Sequence, residues 1–278
     1  MGETLKLGEY LLAVQGLAMI RAGVTRPSAG RPRIEEMRRI LDELPDSMEI
    51  RMIEYEVPEG YTRWAEHYDG PNPAIAREQP IVHGILADLP PGRALDAACG
   101  TGRHAARLVE LGHQVVGVDA TPAMLALARK KVPSADFRLG RLESLPVQDA
   151  TVDLVVCALA LTHVPDLRPV LAEFARVLRP GGRVVLSDIH PLANMTGAIA
   201  AFPGKDLRKG LPYVRSEQHQ ISDYFTAFRA AGLTVLDCRE PVIDEKVVTG
   251  TPSYALYPDA ARQAFLGLPY LLVWQLER

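Results

Sequence analysis

The chain has 278 residues, 47% hydrophobic and 23% charged, and its 31 basic and 34 acidic side chains leave a net charge of −3. Such usage excludes disordered, collagen-like and disulfide-framework chains, and the length suits one large domain or a domain with an appendage. The slight acidic excess argues against a nucleic-acid partner, since phosphate binding draws on Lys and Arg.

The first sixty residues read as helices. Leu5 to Ala22 carries apolar positions at helical spacing, and its run Tyr10 to Ile20 is shorter than the roughly 20 apolar residues of a membrane span. Glu3 and Glu9 against the single Lys6 do not make the positive start of a secretory leader. The scattered Cys99, Cys157 and Cys238 suit a reducing compartment better than a disulfide or zinc framework, so a cytoplasmic protein is expected. Arg26 to Pro32 is a Pro/Gly-rich break, and Ile34 to Leu44 is an amphipathic helix stopped by Pro45. Residues 1–60 are therefore expected to form a helical extension or lid, and 61–278 the main domain. Tyr61 to Tyr68 brings three aromatics together before the turn Asp69-Gly70-Pro71.

From Ile75 strands and helices alternate. Strands are predicted at Arg93 to Ala97, Gln114 to Val118, Ala135 to Leu139, Val152 to Ala158 and Gly182 to Ser187. Helices are predicted at Arg103 to Leu111, Pro122 to Lys131 and Leu167 to Leu178. The first three strands are apolar with little alternation, as when both sheet faces are covered, so the order predicts an α/β fold with a doubly wound parallel sheet. Leu233 to Cys238 and Pro269 to Leu276 read as a closing antiparallel pair, joined by a long loop and a helix. The segment 190–220 has no clean period and follows a strand where open α/β sheets place their ligand crevice; it is expected to cover a substrate.

The strongest local signal is Leu95-Asp96-Ala97-Ala98-Cys99-Gly100-Thr101-Gly102-Arg103-His104, a strand running through a glycine loop into a helix. Dinucleotide enzymes use a similar turn. Asp96 separates the readings: a carboxylate here would repel a pyrophosphate, whereas a ligand with a positive end gains from it. S-adenosylmethionine, with an ammonium, a sulfonium and no phosphate, fits. Nineteen positions after Gly100, Asp119 ends the second strand, at the spacing where a carboxylate accepts both ribose hydroxyls; capping the helix near Pro122 is its alternative role.

These residues resemble the class I S-adenosylmethionine-dependent methyltransferases, especially the small-molecule branch of ubiquinone and menaquinone methyltransferases. The resemblance covers about 61–188 well. Beyond the glycine loop it rests on Gly117-Val118-Asp119 with Met124, Gly140-Arg141-Leu142-Glu143-Ser144-Leu145-Pro146 and Asp153 to Leu159. It continues through Leu161-Thr162-His163-Val164 and Arg176 to Gly182. It implies a seven-stranded, mostly parallel sheet whose last strand is antiparallel. It implies that Asp96, Ala98, Gly100 and Gly102 surround the methionine part of the cofactor, with Ala158 near its end. Asp119 and the adjacent Ala120 would hold the ribose, Met124 would pack on the adenine, Leu142 would present backbone to its edge, and Tyr68 would close over it. Arg141 departs from the pattern: many relatives have an acidic acceptor for the adenine amino group, and arginine cannot accept a hydrogen bond. A backbone carbonyl or Glu143 must serve instead, or that contact is lost.

Methyl transfer needs alignment and exclusion of water, and a base only where the nucleophile must lose a proton. His163 after the fourth strand and His190 after Ser187-Asp188-Ile189 are the catalytic candidates; each has a structural alternative as a loop or core histidine. His219 and Tyr224 are the substrate-binding candidates, with Ser222 or Asp223 as the cap of the following helix. Trp64, Tyr213 and Tyr224 suit an apolar pocket or a core equally, and His104 and His113 read as surface or packing residues. Asp188, His190 and His219 would make a metal site only if the fold assembled them, so no metal is expected. The expected activity is methylation of a small organic molecule at O, N or C, with no nucleic-acid or membrane partner. The alternatives are a non-methylating reaction that uses the same cofactor, such as cyclisation or decarboxylation, a non-catalytic binding module, and a nicotinamide oxidoreductase, which Asp96 disfavours.

Overall fold

In the computed structural model, residues 3–23, 30–44, 49–202 and 210–278 are described. The strands are Thr4–Lys6 (β1), Glu49–Tyr55 (β2), Arg93–Ala97 (β3), Gln114–Asp119 (β4), Asp136–Leu139 (β5), Val152–Ala158 (β6) and Leu178–Ile189 (β7). Ala200–Ala201 (β8), Leu211–Val214 (β9), Thr234–Arg239 (β10) and Leu271–Glu277 (β11) follow. The helices are Leu7–Gly23 (α1), Gly30–Glu43 (α2), Val57–Trp64 (α3), Pro73–Ala87 (α4), Arg103–Glu110 (α5), Pro122–Lys131 (α6) and Leu167–Val177 (α7). Pro191–Met195 (α8), Ile221–Ala230 (α9), Glu245–Thr249 (α10), Pro252–Leu256 (α11) and Pro258–Phe265 (α12) complete the set.

Seven strands pair in the order β10-β11-β7-β6-β3-β4-β5. The pairs among β7, β6, β3, β4 and β5 are parallel, whereas β11 lies antiparallel to both β7 and β10. The last strand in the chain is thus the reversed one, as the resemblance implied, and it sits one place in from the sheet edge. Leu95, Ala97, Val118, Val155, Val156, Cys157, Val184 and Leu186 are all buried, because helices cover both faces; this is why these runs carry no polar alternation.

The chain divides into two compact units, one of 1–54, 201–213 and 242–269, the other of 55–200, 214–241 and 270–278. In the first unit, Leu11, Val14 and Ala18 of α1 recur at helical spacing and are buried, as are Ala260, Ala261 and Ala264 of α12. Gln15 of α1 donates to Glu36 of α2 at 2.7 Å, and Arg33 pairs with the same carboxylate at 3.0 Å. A small sheet of order β1-β2-β9-β8 belongs almost wholly to this unit. The second unit carries the seven-stranded sheet.

Three expectations need correction. The first sixty residues are not all helical: Glu49–Tyr55 is a strand, and its alternation Glu-Ile-Arg-Met is the period-two signal of one. The loop and single helix expected before the last strand are three short helices, α10 to α12. The cap of α9 is Gln220, not Ser222 or Asp223; Asp223 sits one turn in and accepts from the Gln220 amide at 2.7 Å. Helix α4 was not predicted, although Asn72-Pro73 is a cap-and-first-turn signature, and Asn72 Oδ1 accepts from the amides of Ala74 and Ile75. The break at 26–32 and the stop at Pro45 fall partly or wholly outside the described residues, as does 203–209 of the expected cover.

Candidate functional site

The carboxyl ends of β3, β4 and β6 open into a cavity lined by the loops that follow them. Two of its residues, Ala98 (φ 58°) and Leu159 (φ 54°), are non-glycine residues in the left-handed region directly after β3 and β6. Strain of this kind persists only where the surroundings impose it. Gly100 shares that conformation at φ 52° and tolerates it without a Cβ penalty.

Asp119 ties the two loops of the site together. Its Oδ2 accepts from the Gly100 amide at 2.8 Å and its Oδ1 from the Thr121 amide at 2.8 Å. Burial raises its pKa, and those amide bonds oppose the rise. The glycine-loop amide is thus committed to a carboxylate. A pyrophosphate would need that donor free, whereas a phosphate-free nucleoside does not. Each Asp119 oxygen retains acceptor capacity for a hydroxyl.

Tyr68 follows α3 and a short turn, and it lines the same cavity. The Tyr68 ring packs edge-on against Trp64, with centroids 5.2 Å apart, and burial raises its hydroxyl to about 12. Its neighbour Asp69 is clamped to the glycine loop: Thr101 donates to Oδ1 at 2.7 Å and Lys131 to Oδ2 at 2.6 Å.

Of the predicted site residues, Tyr68, Ala98, Gly100, Asp119, Ala120, Leu142, Ala158 and His163 line this cavity, and Asp96, Gly102, Met124, His190, His219 and Tyr224 do not. Asp96 lies behind the loop, 1% exposed, where its Oδ2 accepts from the Ala105 amide at 2.8 Å; burial pushes it up to about 6. Gly102 (φ 82°) starts α5, and a Cβ there would lie 3.3 Å from Ala128 Cβ, so it serves helix packing. Met124 is a buried core residue of α6. His190 caps α8, its Nδ1 accepting from the Leu192 amide at 3.1 Å, and its Nε2 lies 2.9 Å from Glu240.

His219 lines a separate polar groove, with Nε2 2.7 Å from the Val164 carbonyl. Tyr224 is 2% exposed among Phe228 and Trp274 and donates to Asp188, a carboxyl that burial raises to about 7. Asp188, His190 and His219 do not converge, and the described residues hold no cluster of three metal-ligating side chains. Trp64 and Tyr213 are likewise absent from the cavity lining. His104 is buried against Glu78, with Nε2 3.1 Å from its Oε1.

Sequence reading passed over Tyr61 as a site residue. It lines the cavity, stacks on Trp64 at 5.7 Å and meets His163 at 2.8 Å. The available signal was Tyr61, Trp64 and Tyr68, three and four residues apart, the spacing of one helical face. Glu143 lines the cavity two positions after Arg141 and pairs with it at 3.0 Å; the Arg141 side chain is 71% exposed.

Comparison with known proteins gives the family. The Methyltransferase domain family matches residues 95–186, from β3 into β7. An uncharacterized methyltransferase of Mycobacterium bovis is 32% identical over 199 residues, covering 65% of this chain and 81% of that protein. The chain belongs to the class I S-adenosylmethionine-dependent methyltransferases. A probable methyltransferase of this family from Mycolicibacterium smegmatis is 31% identical over 169 residues, 59% of this chain and 66% of its own length. The match thus spans just under two thirds of that relative. A crystal structure of a Mesorhizobium loti methyltransferase has the same fold at 20% identity, with a TM-score of 0.55 over 71% of this chain and 96% of that one.

Proposed function

We propose that this methyltransferase transfers the methyl group of S-adenosylmethionine to a small organic acceptor in the cytoplasm. The observation that carries the reading is the Gly100 amide bound to Asp119 at the cavity wall, an arrangement that favours a phosphate-free nucleoside over a phosphorylated one. Asp119 accepts the ribose hydroxyls through its free lone pairs, and Ala120 lies beside it. Ala98, Gly100 and Ala158 let backbone approach the methionine part, with Asp96 supporting the loop through the start of α5. Leu142 presents backbone to the adenine, and Glu143 supplies the acceptor that Arg141 cannot. Tyr68 covers the cofactor. Gly102 and Met124 act from behind, by holding the loop and α6. When bound, S-adenosylmethionine supplies a methyl group activated by its sulfonium. The protein's share is to align the acceptor and keep water out, and such alignment is worth roughly 7–11 kcal/mol of barrier. Three free cysteines support the reducing compartment. Among the described residues, no helix is long and apolar enough to cross a membrane.

Titration calorimetry tests this reading. S-adenosylmethionine should bind, and Asp119→Ala should weaken it by about 10–100-fold, the range of one charged hydrogen bond at ~1.5–3 kcal/mol. Uptake of a nicotinamide dinucleotide in its place would overturn the proposal.

A further inference from the structure

Among the described residues that line the cavity, Tyr61 and His163 are polar groups that cofactor binding does not use. Tyr61 Oη lies 2.8 Å from His163 Nε2, and His163 Nδ1 lies 2.6 Å from the carbonyl oxygen of Arg215. A carbonyl only accepts, so Nδ1 carries the proton and donates it. Burial lowers the His163 pKa, which leaves the ring neutral at pH 7. Nε2 therefore presents a lone pair, and the Tyr61 hydroxyl, which burial keeps protonated, donates to it. That leaves the Tyr61 oxygen free to accept one more hydrogen bond, from inside the cavity.

We infer that Tyr61 and His163 form a proton relay for a hydroxyl acceptor, which makes the substrate a neutral, largely apolar molecule with a weakly acidic O–H, such as a phenol or an enol. This rests on the methyl-transfer reading and extends it. The acceptor oxygen forms its bond to the methyl carbon, and the carbon–sulfur electron pair stays on sulfur. The acceptor's proton passes to Tyr61 Oη, whose own proton moves to His163 Nε2. The resulting imidazolium is held by the Arg215 carbonyl and returns its proton to water. Tyr61 is the catalytic residue, because it touches the acceptor; His163 is a positioning residue that works through it.

The lining sets the acceptor's class. Val57, Pro58, Ala160, Val164 and Pro165 supply apolar surface. Among the described lining residues the charged ones are Asp119, Glu143 and Arg141, and the one cation has a carboxylate beside it at 3.0 Å, so the lining favours a neutral acceptor over an anionic one. A neutral amine attacks through its lone pair before giving up a proton, whereas a hydroxyl must lose its proton as the bond forms. A relay matters only for the second.

Two measurements test the relay. Nitrogen-15 NMR of histidine-labelled enzyme without ligand should show His163 at pH 7 as the neutral Nδ1–H tautomer, with an Nε2 signal that moves in Tyr61→Phe. A charged ring, or an Nε2–H tautomer, overturns the pairing without touching the cofactor site. In the second, tritiated S-adenosylmethionine is offered with apolar phenols, enols, amines and carboxylates. Phenol or enol turnover should fall about 100-fold or more in both Tyr61→Phe and His163→Gln. In wild type, kcat should fall on the acid side as His163 gains its proton, and His163→Gln should lose that limb. Turnover confined to amines or carboxylates, no hydroxyl acceptor at all, or hydroxyl turnover unmoved by either substitution would overturn the relay. Failure of S-adenosylmethionine to bind wild type would instead strike the methyl-transfer reading. Calorimetry with S-adenosylmethionine and a thermal melt on both variants distinguish a lost relay from a lost fold.

Discussion

Gly117 shows how one atom of side chain sets the site. It lies in β4 two residues before Asp119, and a Cβ there would stand 2.4 Å from Phe137 Cδ1 and 3.1 Å from Cys99 Sγ. Phe137 is a buried core side chain, and Cys99 belongs to the glycine loop itself. Gly117→Ala should therefore destabilise the second unit by about 1–3 kcal/mol through overpacking, and weaken S-adenosylmethionine binding because the loop must shift. Urea unfolding followed by tryptophan fluorescence reads the first effect, since Trp64 and Trp274 both lie in that unit. An unchanged midpoint would mean that Phe137 has space to retreat. The left-handed Ala98 and Leu159 belong to the same account: each turns the chain sharply where a strand delivers it to the cavity.

At the scale of elements, one buried carboxylate joins α4, α5 and β7. Glu78 of α4 has no exposed surface; Arg103 of α5 donates to its Oε2 at 2.5 Å and Ser187 of β7 to its Oε1 at 2.8 Å. Burial alone would raise its pKa, but His104 and Arg103 outweigh that and hold it at about 2, against an ordinary 4.5. A carboxyl with a depressed pKa stabilises the fold above its unfolded value and loses that contribution as pH falls through the folded one. Glu78→Gln should thus cost about 3 kcal/mol at pH 7, where it leaves the Arg103 charge unpaired. The deficit should shrink as pH falls from 4.5 towards 2, because wild type then loses the same charge. Denaturant midpoints measured across that range check the sign; a deficit that grows on acidification would contradict it.

For the whole molecule, the expected consequence of the site is a thermal one. A ligand that binds only the folded state at a hundred times its Kd adds about 2.7 kcal/mol, which for a unit of this size raises Tm by about 5–10 °C. S-adenosylmethionine should shift the tryptophan-reported melt by that amount, and a nicotinamide dinucleotide should leave it in place. A shift with the dinucleotide alone would move the site to another ligand class.

What the sequence determined by itself was the seven-stranded frame and part of the cavity wall. Apolar runs without alternation, glycines at a strand end and a carboxylate nineteen positions on are all local chemistry, and each falls where the fold puts it. The sequence missed β2 and α4 although Glu-Ile-Arg-Met and Asn-Pro marked them, because the helical pattern around the one and the strand pattern after the other drew the reading away. Three histidines were site candidates in the sequence, His163 and His190 as catalytic and His219 as substrate-binding. Only tertiary structure separated them, because a histidine's work depends on what faces its two nitrogens. His190 meets an amide of its own helix and Glu240, His219 meets a carbonyl beside a polar groove, and His163 meets a tyrosine in the cavity. Tyr61 follows the same rule: its partner is 102 residues away, and no spacing along the chain announces a contact that the fold makes.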